Sequence, residues 1–377
     1  MRSACSLSPL IATWLPAAFL VTNLFVSACN RQPTPTEDEP AAIAEEAGTG
    51  TETHLASTTA TAPEMLASGL VARDDDDDPR APACLPHSDT VPGWVKTQAI
   101  RIESGERYLQ NLPDSYAASH MRPYGIMDVA TCTYEKQAGN RPSRLAVELL
   151  RCRSSADAYG LCSTQRLGRD LGHAHRVWAD RQDDYYLLHA WRSDYYLRAT
   201  ATPADGETPL SQARQFMGRI LLALPKADPP LLVRTLPSEV RQADRIWFAP
   251  TCLPLAASGA RLLTAEQAVA LDDILRMPRA RGLAAAAYQS DPAEPPNIVW
   301  LIEYPTPGDA RSAYARYKNA LDRQAGAAMS TPSVPAAVLL SPIDRFLAGS
   351  WSPEEESAMH VLPLVRATLS KLAERPE

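Results

Sequence analysis

The sequence predicts an α+β protein of two similar units, each a small antiparallel sheet with helices packed on one face, placed after a disordered linker. Three observations carry that expectation. A strand gives way to a capped helix twice at nearly constant spacing, each half closes on an amphipathic helix, and the first half holds a series of aromatic-rich runs separated by polar turns. Strands followed by helices, rather than regular strand-helix alternation, indicate segregated α+β layers.

The 377 residues are 45% hydrophobic, enough to bury a sizeable core. The net charge of -7 is unevenly spread, because residues 30–83 alone carry -9 and the following region is close to neutral. A nearly neutral folded region lacks the basic footprint that phosphate neutralisation requires, so no nucleic-acid partner is expected.

The first element is an export signal. Arg2 precedes an apolar stretch from Leu10 to Val26, and small residues lead to Cys29. An uncleaved membrane helix and an ordinary signal peptide are the alternatives, but Pro16 and Asn23 interrupt the run, which falls short of the ~20 residues a spanning helix needs. Leu24-Phe25-Val26-Ser27-Ala28-Cys29 resembles the lipobox of bacterial lipoproteins. That resemblance implies cleavage after residue 28, lipid on Cys29 and anchorage to a membrane. Asn30, rather than Asp, implies the outer membrane facing the periplasm. Two or more acyl chains make such anchorage stable.

Residues 29–83 form the second element, an acidic tether rich in Pro, Thr, Glu, Ala and Ser. Without periodic large apolar residues it cannot offset its ordering entropy. As a coil of ~54 residues it would span about 40 Å. The run Asp74 to Asp78 lacks the glycine turn and alternating ligands of a calcium loop, and reads as a solvated linker.

Residues 84–228 and 229–377 are expected to be the two units. Leu145 to Leu150 reads as a strand and is followed by Ser154-Ser155-Ala156-Asp157; Ile298 to Glu303 is followed by Thr306-Pro307-Gly308-Asp309. Both ends of the cap are offset by 152 residues. Each places a hydroxyl where it accepts from an orphan helix N–H, with an acid in the first turn. Leu85-Pro86 and Leu236-Pro237 open the halves, and strands ending at Tyr134 and Tyr288 correspond. A hairpin around Gly139-Asn140 sets Cys132 opposite Val147 and turns Cys152 to the other face. Arg176 to Trp178, Asp184 to His189 and Asp194 to Ala199 read as a meander. The closing helices carry Leu210, Phe216, Ile220, Leu221 and Leu224 in one half, and Ala358, Val361, Leu362, Val365, Leu369 and Leu372 in the other. Thr264 and Gln267 predict a capping box whose helix lacks a well-formed counterpart near Tyr108 to His120.

With these landmarks, Val91-Pro92-Gly93-Trp94, Tyr108-Leu109 with Tyr116, Tyr124-Gly125 and Leu145 to Gly160 resemble a family of uncharacterised exported bacterial proteins, catalogued as a domain of unknown function. The resemblance implies a two-unit exported protein and no catalytic residues. Leu112-Pro113-Asp114-Ser115 stands where a glycine-rich stretch is expected, which argues against a glycine-dependent binding role.

Chemical motifs are sparse. There is no P-loop, GxGxxG, GxSxG or HExxH. His173 and His175 near Asp170 have metal-compatible spacing but no further marked ligands, so no metal and no cofactor are expected. Tyr314 and Lys318 stand four apart on a helix without a dinucleotide fold. Glu148 and Glu303, near the ends of matching strands, are candidate acid–base groups, with pairing to a neighbour such as Arg151 as the alternative. Five cysteines remain beyond Cys29, an odd number that leaves at least one outside intramolecular disulfides. The expected function is a noncatalytic envelope module that binds an envelope protein or small ligand through the seam between units, or through Tyr185, Tyr186, Tyr195 and Tyr196. An envelope hydrolase using an unrecognised carboxylate or histidine site is the alternative.

Overall fold

The computed structural model describes residues 77, 80 and 82–373, apart from 139–140, 172–176, 203–208, 239–240, 258, 290–295, 327–333, 336 and 352–360. Cys29 and the signal and tether before residue 77 lie outside the described residues, as do His173 and His175.

The class is α+β, with two antiparallel sheets. The first contains β1 (Val95–Ser104), β2 (Ile126–Ala138), β3 (Arg141–Cys152), β4 (Arg169–Asp170), β5 (Val177–Arg181), β6 (Tyr186–Arg192) and β7 (Tyr195–Thr202), in the order β1-β2-β3-β7-β6-β5-β4. The second contains β8 (Arg241–Ala249), β9 (Gly282–Tyr288), β10 (Asn297–Glu303), β11 (Val338–Leu339) and β12 (Phe346–Trp351), in the order β8-β9-β10-β12-β11. The first five positions of one order therefore match the whole of the other. Both sheets belong to one compact unit.

Helices α1 (Gly105–Asn111) and α2 (Ser115–Met121) follow β1, α3 (Ser155–Gln165) follows β3, and α4 (Pro209–Ala223) follows β7. In the second half, α5 (Leu231–Thr235) precedes β8, α6 (Ala265–Ile274) follows it, α7 (Pro307–Gly326) follows β10, and α8 (Leu362–Ala373) follows β12. Two short helices thus occupy the stretch expected to lack a counterpart of α6. Ser104 and Asp114 start them, each accepting from a backbone N–H with its side chain. Their seven-residue lengths hide any helical repeat of apolar positions.

The two strand-to-helix junctions use one device. Ser154 Oγ accepts from Asp157 N at 3.1 Å and donates to Asp157 Oδ2 at 2.9 Å. Thr306 Oγ1 does the same with Asp309, at 3.1 and 2.7 Å. Thr264 and Gln267 form the expected capping box at α6. The β2–β3 register is also the expected one, with Cys132 opposite Val147.

Helices cover both faces of each sheet, not one. In β3, Leu145, Val147 and Leu149 pack in the cluster that contains Phe216 and Ile220 of α4, whereas Leu150 and Cys152 pack with α1, α2 and α3. In β10, Trp300 and Ile302 face α6 and α7, whereas Val299 and Leu301 face α5 and α8. Strands buried on both faces read as continuous apolar runs, and so Ile298 to Ile302 shows no alternation.

Helix α3 joins the halves. Every residue from Asp157 to Thr164 is buried, so the helix is enclosed all round and not amphipathic. It runs along the outer edge of β8. Phe248 N donates to Ser163 Oγ at 3.0 Å, Tyr124 donates through its hydroxyl to the Phe248 carbonyl at 3.2 Å, and Arg166 Nη2 donates to the Asp244 and Ile246 carbonyls at 3.0 and 2.8 Å. Side chains of the first half thereby satisfy the strand edge that would otherwise invite pairing with another chain. The edge of β1 is capped in a similar way. Asp77 accepts from Ile100 N at 2.7 Å and pairs with the fully buried Lys96. Asp77 is therefore not the solvated linker residue that the acidic run led us to expect.

Candidate functional site

Cross-strand register assembles a polar row on the α1–α3 face of the first sheet. Asp170, Trp178, His189, Arg198, Glu148 and Thr131 are successive partners across β4, β5, β6, β7, β3 and β2. Tyr108 of α1 lies over the row and donates to Glu148 Oε2 at 3.3 Å, while Arg198 Nη2 donates to the Tyr108 hydroxyl at 2.8 Å. Arg198 Nε donates to the same carboxylate oxygen at 2.5 Å. Glu148 is thus paired with Arg198; Arg151 binds Asp128 instead.

His189, which the sequence did not single out, is buried and shares a 2.6 Å hydrogen bond between Nδ1 and the Tyr196 hydroxyl. Desolvation, then the nearby Arg198 and Arg166 guanidiniums, push its pKa down to about 3, so the ring is neutral at ordinary pH. Burial raises the phenols of both Tyr108 and Tyr196. The row accordingly holds its protons near neutral pH, with its carboxylate matched to a guanidinium. Its chemistry suits a fixed polar layer that sets the register of the sheet.

The four candidate tyrosines do not share one surface. Tyr196 is fully buried in the layer under α3, whereas Tyr186 and Tyr195 are half-buried against the opposite, α4 face. Tyr185 is half-buried in the turn before β6, its carbonyl accepting from Gln182 N. Strand alternation separates the adjacent pair Tyr195 and Tyr196.

Glu148 and Glu303 are likewise apart. Counting back from the matched caps, Glu303 corresponds to Arg151 and Glu148 to Trp300. Glu303 ends β10 and contacts Arg281 at 2.9 Å and Arg345 at 3.0 Å. Tyr314 packs on the second core, and Lys318 is exposed. Among the described residues, no group of three His, Cys, Asp or Glu is placed to hold a metal, and no disulfide joins the five cysteines.

The seam holds an open hollow of about 390 Å³ lined by both halves. Arg153, Ser154 and Asp157, at the start of α3, form one wall. Phe248 of β8 and Pro250 and Thr251 just after it, with Met277, Pro278 and Arg281 before β9, form the other. Thr251 Oγ1 is buried there without a hydrogen bond. Desolvation raises the pKa of Asp157, opposed by hydrogen bonding from Ser154 and the charge of Arg153. Sequence reading found the Ser154 cap but not the hollow, because its two walls lie about a hundred residues apart in the chain.

No family model, curated protein or solved structure matches the chain. The functional reading therefore rests on the geometry and on the N-terminal sequence. Among the described residues, no helix is long and apolar enough to cross a membrane.

Proposed function

We propose that this chain is an envelope lipoprotein, anchored through lipid on Cys29, whose folded part is a noncatalytic module that binds a ligand in the seam between its two sheets. One observation carries the binding part of this reading: the hollow is a concave site built from both halves, where apolar residues and convergent polar groups line it in similar measure. The address rests on the lipobox-like segment ending at Cys29. The matched ion pairs and held protons of the polar row favour binding over hydrolysis, which needs an accessible group able to gain or lose a proton.

Two measurements test the proposal. Mass spectrometry of the mature protein from membranes is expected to find Cys29 as the acylated first residue; an unmodified N-terminus upstream of it would contradict the anchor. For the seam, a photo-reactive amino acid at Thr251 in the full chain is expected to capture a distinct envelope species. A capture pattern identical to that of the same probe at the remote, exposed Val269 would remove support for the site.

A further inference from the structure

We infer that the seam hollow takes an amphiphile with a single oxyanion head, a carboxylate being the simplest case. This rests on the seam being a binding site and adds the chemistry of what enters it. The first observation is the arrangement of charge. Arg153 and Arg281, one from each half, line the hollow with side chains 56% and 53% exposed, whereas their acidic partners Asp157 and Glu303 are only 13% and 9% exposed. Arg279, between the lining residues Pro278 and Ala280, repeats the pattern with Asp309, at 60% and 23% exposure. Each carboxylate is tucked inward against a guanidinium that is itself about half exposed, and Arg153 Nη2 also donates to the Pro123 carbonyl at 2.8 Å. The mouth therefore presents donors and positive charge although its ion pairs are formally balanced.

The second observation is the wall. Pro278 is exposed and Pro250 and Ala280 are half-buried, so these three offer an apolar surface beside those donors, backed by the buried Phe248 and Met277. Asp157, the acid on the lining, is already bound by Ser154 Oγ and Arg153. An oxyanion can thus bridge Arg153 and Arg281 across the seam without displacing either internal carboxylate. A guanidinium holds a carboxylate in a planar, two-pronged geometry that an ammonium does not reproduce. An apolar tail on the same molecule would cover the Pro250–Pro278 wall, and neither part alone matches the whole lining.

Calorimetric titration of the full-length chain with octanoate, octanol and acetate separates head from tail. Octanoate is expected to bind most tightly. A paired Arg153→Gln and Arg281→Gln substitution is expected to weaken it at least about tenfold while leaving octanol unchanged. Glu303 would retain Arg345, and Asp157 would retain Ser154, so the folded state should survive, as circular dichroism can verify. Should the double variant unfold, the Arg153→Lys and Arg281→Lys pair replaces it, keeping charge but losing the fork, with an intermediate loss of affinity expected. Octanol binding as tightly as octanoate, or octanoate affinity unaltered in the variant, overturns the oxyanion head but leaves the seam as an apolar site. Acetate binding as tightly as octanoate overturns the apolar tail. Binding of none of the three probes overturns this inference, and failure of the Thr251 probe to capture a distinct species would then separately sink the seam reading.

Discussion

The hydroxyl of Tyr134 donates to the carbonyl of Pro86 at 2.8 Å, and the same bond recurs in the second half, where Tyr288 donates to Pro237 at 2.9 Å. In each case a buried strand phenol, within β2 for Tyr134 and at the end of β9 for Tyr288, ties down the Leu-Pro segment that opens its half. Because the carbonyl is buried with it, removing the hydroxyl strands an acceptor. Tyr134→Phe and Tyr288→Phe should each destabilise the fold by about 1–3 kcal/mol. Urea denaturation checks this; if one variant is unaffected while the other loses stability, the two bonds are not equivalent anchors.

Gly160 lies where α3 packs tightly against β8. A Cβ there would stand 2.6 Å from Tyr124 Cε1 and 2.7 Å from the Phe248 carbonyl oxygen, so the contact involves backbone as well as a side chain. Gly160→Ala is expected to cost about 1–3 kcal/mol by overpacking, despite alanine's better helix propensity. Thermal unfolding followed by tryptophan fluorescence provides the readout. An unchanged or raised midpoint would mean that α3 does not press on β8 as described.

Lys96 is fully buried, and its pairing with Asp77 links the end of the acidic run to the first sheet. Replacing one member of a buried pair leaves a charge in a poorly solvated place. Asp77→Ala should therefore cost about 3–5 kcal/mol, and Asp77→Ala with Lys96→Met should recover much of the loss. A denaturation midpoint unaffected by Asp77→Ala would show that the acidic run is solvated after all.

His189 makes stability depend on pH. Burial, then Arg198 and Arg166, push the folded pKa down to about 3, whereas the unfolded imidazole titrates near about 6.5. Between those values the unfolded chain binds the proton and the folded chain does not, so this contribution is complete above about pH 6.5 and is lost as pH falls towards about 3. From about pH 7 to about pH 4.5 the loss from this residue is about 3 kcal/mol. Asp157 and Asp272, raised first by desolvation, oppose it because their folded forms take up protons more readily. His189→Gln removes the imidazole alone, and urea denaturation at the two pH values should show a smaller acid loss than in the parent chain. Equal losses would indicate that His189 does not carry the dependence.

What the sequence determined by itself was local or repeated. The Ser154 and Thr306 caps, the Cys132–Val147 register and the apolar stripe of α4 follow from hydrogen-bond valence, side-chain alternation and helical period, which act over a few residues. The duplication was legible because those devices recur. Only the tertiary structure decided that His189 meets Arg198, that Arg198 meets Glu148 fifty residues earlier, and that Arg166 and Ser163 close the edge of β8. It also decided that Arg153 and Arg281 face one hollow. Such partners follow from strand order and from one half docking on the other, and neither leaves a period in the chain. A buried charge looks the same in sequence as a solvated one until its neighbour is known, which is why Asp77 reads as linker by composition and as an ion-pair partner in space.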